Sequence, residues 1–142
     1  MMKQVTFWLS LITIVLIING ATAQSASDIE GFWLTDDGES HVHIYREGNT
    51  YRGKIAWLKN PNDDQGRPIT DDRGDEILGM EFMKGFKYDG DEYTDGRVYD
   101  PESGKTYYGS MRLDGANTLK LRGSLDKSGW LGRTETWTRV KK

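Results

Sequence analysis

Cysteine is absent from this sequence. The fold therefore has no disulfide, no thiolate nucleophile and no cysteine through which a lipid can be attached at a cleavage site. Positive charge is also in short supply, with 19 basic against 22 acidic side chains. Without clustered cations the chain is a poor partner for nucleic acid, or for anionic lipid held by charge alone. Proline occurs only 3 times and histidine only 2 times. No segment after residue 30 repeats apolar residues at helical spacings of three and four, so no long helix is expected. A Gly-x-Ser-x-Gly elbow and a glycine-rich phosphate loop are missing as well.

One apolar run stands out, residues 7–18, interrupted only by Ser10 and Thr13. Lys3 precedes it and Ala21-Thr22-Ala23 follows, the layout of a secretory signal peptide with its small-residue cleavage site. The run is shorter than the ~20 residues a spanning helix requires, so cleavage before Gln24 is expected rather than a membrane anchor. Residues 1–23 are thus read as a signal peptide and 24–142 as one domain of 119 residues, exported to the periplasm or beyond. Lys3 is the sole charged side chain of the first part, which leaves 18 basic and 22 acidic side chains and a mature net charge of −4.

Glycine, at 17 residues, is what the chain has in quantity. Turn signals at 36–38, 48–49, 89–91, 100–104, 114–117 and 126–129 divide the domain into short alternating runs. Those runs are 32–35, 41–47, 50–58, 80–88, 92–99, 105–113, 118–125 and 130–140. The pattern is that of an all-β fold, an eight-stranded antiparallel up-and-down barrel of lipocalin or streptavidin type. Alternation places Val42 with Ile44 on one face, and likewise Tyr51, Gly53, Ile55 and Trp57. Tyr107, Gly109, Met111 and Leu113 form a further set, opposite Leu119, Leu121 and Gly123, while Arg52, Lys54, Thr118, Lys120 and Arg122 should be solvated. Gly53, Gly96, Gly109 and Gly123 fall inside strands, where barrels use glycine to bend or to leave room. Residues 59–79 break the rhythm, and a connection that long is expected to act as a lid or binding loop at one end of the barrel.

Gly31-Phe32-Trp33 at the start of the first strand and Arg139 near the end of the last resemble the signature of the calycins, the lipocalins and their relatives. That resemblance implies that the two strands pair to close the barrel and that the arginine lies over the tryptophan ring. A wider resemblance covers nearly the whole mature chain. Gly53-Lys54-Ile55-Ala56-Trp57-Leu58, Tyr99-Asp100-Pro101-Glu102-Ser103-Gly104-Lys105-Thr106-Tyr107, Leu121-Arg122-Gly123 and Leu131-Gly132-Arg133-Thr134-Glu135-Thr136-Trp137-Thr138-Arg139 are similar to an exported bacterial family known as domain of unknown function 2147. The resemblance implies a lipocalin-like fold and carries no activity with it. The chain departs from the family in the long loop, where Arg67-Pro68-Ile69 keeps only part of a basic-Pro-Leu-Gly motif.

Several side-chain groups have spacings that chemistry uses. His41 and His43 project from one strand face and can chelate a transition metal if Glu39 or Tyr45 joins them; the plainer reading is an exposed polar face. Asn60, Asn62 and Asp64 alternate as in a calcium loop with Asp71 further on, but the turn glycine is displaced to Gly66 and no glutamate ends the loop. Arg133, Glu135, Trp137 and Arg139 share a face of the last strand, either as an ion pair closing the barrel or with an arginine that receives a ligand carboxylate, helped by Tyr99, Tyr107 or Tyr108. Ser40 has no histidine placed to activate it, and Asp95, Asp100 and Glu135 have no separation that sequence can supply for a glycosidase pair.

The expected function is therefore a binding module, a carrier or sensor of a small, mainly apolar ligand. Trp33, Trp57, Tyr107, Met111, Leu119, Leu121 and Trp137 would line the cavity, with Arg133 or Arg139 for polar recognition. The alternative is a side-chain-filled barrel that binds an envelope protein through the 59–79 loop or an exposed aromatic patch. No catalytic residue, cofactor or metal ligand is assigned, and an enzyme comes third.

Overall fold

The computed structural model describes residues 24–141, so the expected signal peptide lies outside the described residues. A 3₁₀ turn, Ala26–Ile29, leads into eight strands: β1 (Gly31–Leu34), β2 (Ser40–Glu47), β3 (Thr50–Leu58), β4 (Glu81–Tyr88), β5 (Tyr93–Tyr99), β6 (Thr106–Leu113), β7 (Thr118–Ser124) and β8 (Gly132–Arg139). Each strand pairs antiparallel with the next, and β1 pairs with β8, giving a closed up-and-down barrel. All eight expected runs are strands, ending where the turn residues stop them. At Asp89, for example, the side chain accepts the N–H groups of Asp91 and Glu92 and turns the chain from β4 into β5.

Alternation sends Trp33, Val42, Ile44, Tyr51, Met111, Leu119, Leu121 and Trp137 into the barrel, all buried; Met83 and Phe86, three residues apart on an irregular β4, and Tyr93 join them, as does Ile29 of the 3₁₀ turn. Two of the in-strand glycines make room for one ring. An added Cβ on Gly96 or Gly109 would lie 2.4 or 2.8 Å from the Phe86 ring. The interior at that level is thus filled by the protein's own side chain. Beside it, Asp95 adopts φ 63°, the one positive φ outside glycine among the described residues, and Gly85 across the β4–β5 pair has φ 78°. This paired distortion bends the wall around Phe86.

A bulge decides the fate of Trp57. Val42 pairs with Ile55 but His41 pairs with Trp57, so β3 carries one extra residue, Ala56, at that point. The extra residue turns Trp57 onto the outer wall, where its ring meets His41 at 4.4 Å and stays 41 % exposed. Strict alternation had placed it inside with Ile55.

The 59–79 connection is an ordered coil of two consecutive eight-residue turns, Asp63-Asp64-Gln65-Gly66 and Asp71-Asp72-Arg73-Gly74 opening them. In the first, the Asp63 N–H bonds the Arg67 carbonyl at 2.7 Å and the Gly66 N–H bonds the Asp63 carbonyl at 3.0 Å; in the second, Asp71 to Asp75 at 2.9 Å and Gly74 to Asp71 at 3.0 Å repeat both bonds. The bridges Asn62–Pro68 and Thr70–Glu76 stand eight residues apart, and Ile69 and Ile77 each donate to the carbonyl eight residues earlier. Each turn keeps its own aspartate as a cap and its own arginine, Arg67 or Arg73, as that aspartate's partner.

Candidate functional site

The two ends of the barrel are built differently. At one end the Arg139 guanidinium lies 4.2 Å over the Trp33 ring. Its nitrogens donate to the carbonyls of Asp28 at 2.6 Å, Glu30 at 2.9 Å and Ala116 at 2.9 Å. The indole N–H of Trp33 donates to the Ile29 carbonyl at 2.9 Å, and the Tyr93 hydroxyl donates to Ala26 at 2.7 Å, so the 3₁₀ turn is fastened across the opening. Gly31 fits this seal for two reasons: its φ is 134°, and an added Cβ would stand 2.8 Å from Arg139. Tyr51, Tyr88 and Tyr93 fill the space behind it, with ring centres 4.8–5.2 Å apart. Burial, together with the nearby Tyr51 and Tyr88, pushes the Tyr93 hydroxyl well above the usual phenol range.

The other end carries the connections 35–39, 59–80, 100–105 and 125–131. The inward-facing side chains there are only half-buried: Phe82, Val98 and Tyr107, with Glu135 beside the buried Leu121 and Ile55. Phe82 and Val98 pack on the core below, and Val98 pairs with Tyr107 across β5–β6, as Leu121 does with Glu135 across β7–β8. Glu135 accepts the Trp137 indole N–H at 3.2 Å and meets Arg133 at 3.4 Å. A carboxylate thus sits in an otherwise apolar mouth, with acceptor positions to spare for a ligand that brings a hydrogen-bond donor. The 59–79 coil docks on the rim through Asp71, whose side chain is fully covered and accepts the Tyr99 hydroxyl at 2.9 Å.

The structure divides the expected cavity residues into groups. Trp33, Met111, Leu119, Leu121 and Trp137 lie together in the interior, and Tyr107 stands half-buried above them. Trp57 is on the outer wall. Arg139 faces the sealed end with its donors already engaged, and Arg133, on the lip of β8, is 85 % exposed. Tyr108 points outward beneath Arg97, 4.0 Å from its guanidinium, and Tyr99 serves the docked loop. Two mouth residues, Phe82 and Val98, escaped sequence reading. Val98 was signalled by its hairpin register with Tyr107, while Phe82 was hidden by the irregular β3–β4 pairing.

The groups with metal-like spacing are used otherwise. His43 stacks on Phe32 at 4.4 Å and 8°, and His41 on Trp57. Burial, and then Lys54, holds the His43 imidazole below its usual range. Asp71, at the end of the calcium-like spacing, is turned inward to cap its own turn. Among the described residues no three His, Asp or Glu side chains converge as metal ligands.

Two recesses open on the outer wall. One, of about 400 Å³, lies between Phe32, His43, Lys54, Ile55 and Ala56 and is overhung by Leu78 and Gly79. The other, of about 250 Å³, runs from Thr94 and Arg97 across Tyr108 to Arg122 and Ser128.

The sequence profile of a bacterial family, "Uncharacterized protein conserved in bacteria (DUF2147)", matches residues 31–139, from the glycine before the sealing tryptophan to the sealing arginine. The chain belongs to this family. The match runs through every strand of the DUF2147 barrel. No curated protein matches the chain. A solved structure that resembles this DUF2147 chain is the one titled "Protein HP1028 from the human pathogen Helicobacter pylori belongs to the lipocalin family", with 22 % sequence identity, a TM-score of 0.64, and coverage of 80 % of this chain and 83 % of that one. At that identity the likeness establishes a lipocalin-like barrel and no more than the fold. Among the described residues, no helix of this DUF2147 protein is long and apolar enough to cross a membrane.

Proposed function

We propose that this protein is an exported binding module that holds a small, mainly apolar molecule in the mouth of its barrel. The observation that carries the reading is the asymmetry of the two ends. One is sealed by Arg139, Trp33 and the 3₁₀ turn, whereas the other presents Phe82, Val98, Tyr107 and Leu121 around the carboxylate of Glu135. The Phe86 ring, pressed against Gly96 and Gly109, confines the ligand to the upper part of the barrel, so the molecule is small or only partly enclosed. No catalysis is assigned. Both histidines of the chain lie against aromatic rings of the outer wall, His43 stacked on Phe32 and His41 tilted against Trp57. The N-terminal 23 residues, with their charged, apolar and small-residue segments, support export.

The test is native mass spectrometry of protein purified from an exporting culture, followed by solvent extraction, with Leu121→Trp as the mouth-blocking variant. A molecule retained at fixed stoichiometry by wild type, released on unfolding and missing from the variant supports the reading. Bare wild-type protein that also fails to bind a fluorescent apolar dye in its mouth refutes it.

A second reading rests on a different observation. The outer recess beside Phe32, His43 and Leu78 lies over a wall whose interior is packed, which suits a filled barrel that engages an envelope protein through its surface. Dye binding that responds to Leu78→Ser and not to Leu121→Trp favours it.

A further inference from the structure

We propose that the connection between β7 and β8 is a membrane-docking tip that inserts Trp130 and Leu131 into the interfacial layer of a lipid bilayer, with Leu125 at the contact's edge. These three side chains are 85 %, 62 % and 61 % exposed. They make up half of the six large apolar side chains that the described surface presents, gathered within seven residues of chain. Solvent-facing apolar residues ordinarily occur singly, and a cluster marks a surface that meets something apolar.

The loop holds this shape by its own bonds. The Asp126 carboxylate accepts the N–H of Leu131 at 2.7 Å and of Trp130 at 3.2 Å, and also the Ser128 hydroxyl. The Leu125 N–H donates to the Leu131 carbonyl at 3.0 Å, and Arg122 of β7 reaches across to donate its Nε to the Gly129 carbonyl at 2.8 Å. Polar groups are satisfied within the loop while the indole stays outside, so the apolar tip is a built feature.

Lipid fits the tip better than a protein does, on three counts. A tryptophan beside leucine combines an apolar body with an N–H donor, the composition that settles at headgroup depth. Lys127 and Arg133 flank the apolar residues and are both exposed, complementary to lipid phosphates. The single acid of the loop, Asp126, has its oxygens committed to loop donors. The connections at this end of the barrel, 35–39, 59–80, 100–105 and 125–131, together carry 12 acidic and 5 basic side chains, so the end as a whole repels anionic lipid and insertion of the apolar tip supplies the binding. Docking in this way sets the open end against the bilayer, although the tip stands on its own observations whether or not the mouth holds a ligand.

The experiment is cosedimentation of the purified protein with two kinds of vesicle, phosphatidylcholine alone and phosphatidylethanolamine with phosphatidylglycerol, the acyl chains brominated in a parallel set. Wild type is expected to sediment with both, more with the phosphatidylcholine vesicles, and to lose tryptophan fluorescence to the brominated chains. The double variant Trp130→Ser, Leu131→Ser should bind about tenfold less or weaker, the effect of removing one buried aromatic side chain. Phe32→Ser, exposed on the outer wall, should bind as wild type does. Trp130→Ser alone, which keeps every backbone bond of the loop, serves if the double variant loosens it. Wild type that stays in solution with both vesicles overturns the proposal, as does unchanged binding by the double variant. Trp130-dependent capture of an envelope protein without vesicle binding overturns it in favour of a protein partner. None of these outcomes touches the mouth reading, which mass spectrometry judges separately.

Discussion

The Phe86 ring stands where a side chain on Gly96 would have to be, 2.4 Å from an ideal Cβ at that position. This contact fixes how deep the barrel is solid. Gly96→Ala is expected to cost about 1–3 kcal/mol, because the ring has packed neighbours on its other side and overfilling forces it off its rotamer. Asp95→Gly next door should instead be neutral or raise stability by up to ~1 kcal/mol, since it relieves a φ of 63° on a residue with a side chain. Urea unfolding of the two variants checks both signs. A Gly96→Ala protein that unfolds with wild type would mean that the Phe86 level is loose enough to admit a ligand.

Arg139 acts through its shape as much as its charge. Three carbonyls, two from the 3₁₀ turn and its cap and one from the β6–β7 turn, converge on one planar guanidinium that also covers Trp33. Arg139→Lys keeps the charge and loses the fork, and should destabilise by roughly 1.5–3 kcal/mol, as losing hydrogen bonds from a charged donor does. Equilibrium unfolding of the variant measures it. A loss under half the lower figure would show that the seal is held by apolar packing of Ile29 and Trp33 alone.

Two buried tyrosines at the same end should respond in opposite ways. The Tyr93 hydroxyl donates to the Ala26 carbonyl at 2.7 Å, whereas the Tyr51 hydroxyl is buried with no partner among the described residues. Tyr93→Phe is therefore expected to lower stability by about 1 kcal/mol, and Tyr51→Phe to leave it unchanged or raise it. Thermal melts of the pair give a comparison in which chemistry is constant and only the partner differs. Equal losses in both would mean that Tyr51 is satisfied.

Asp71 gives the long loop a pH dependence with a definite sign. Burial pushes its carboxyl up, but the Asp75 N–H, the Tyr99 hydroxyl and Arg73 together outweigh that and hold it below the usual aspartate range. A group depressed in the folded state adds stability above its unfolded pKa, about 3.9, and loses it as pH falls through the lower folded value. The gap in urea midpoint between wild type and Asp71→Asn should therefore be widest near neutral pH and close on acidification below about pH 4. A gap that stays constant down to the acid transition would assign the loop's docking to the Tyr99 contact and the backbone bonds alone.

The strands were legible because their alternation and their Asp-Gly and Asn-Gly turns are local signals, and the sealing pair was legible because Gly31, Trp33 and Arg139 belong to a recognisable motif. What failed to show is what depends on one residue more or less. Ala56 turns Trp57 out of the barrel, and the irregular β3–β4 register turns Phe82 in; neither residue type announces a bulge. Alternation puts Arg133 on the interior side with Glu135, but it stands at the lip, where a long side chain reaches water. The eight-residue spacing of Asp-Asp-x-Gly at 63–66 and 71–74 was visible in the loop, though a search for metal ligands at alternate positions looks past it.

That spacing has a bearing on how such a loop changes length. Each turn of the coil closes on its own aspartate and hands the chain on, eight residues later, to a turn closed by the same bonds. Inserting or deleting one whole eight-residue turn leaves every remaining cap intact, while a change of another length within a turn breaks its cap. The loop over the rim of this barrel is therefore built in discrete units, like links in a bracelet.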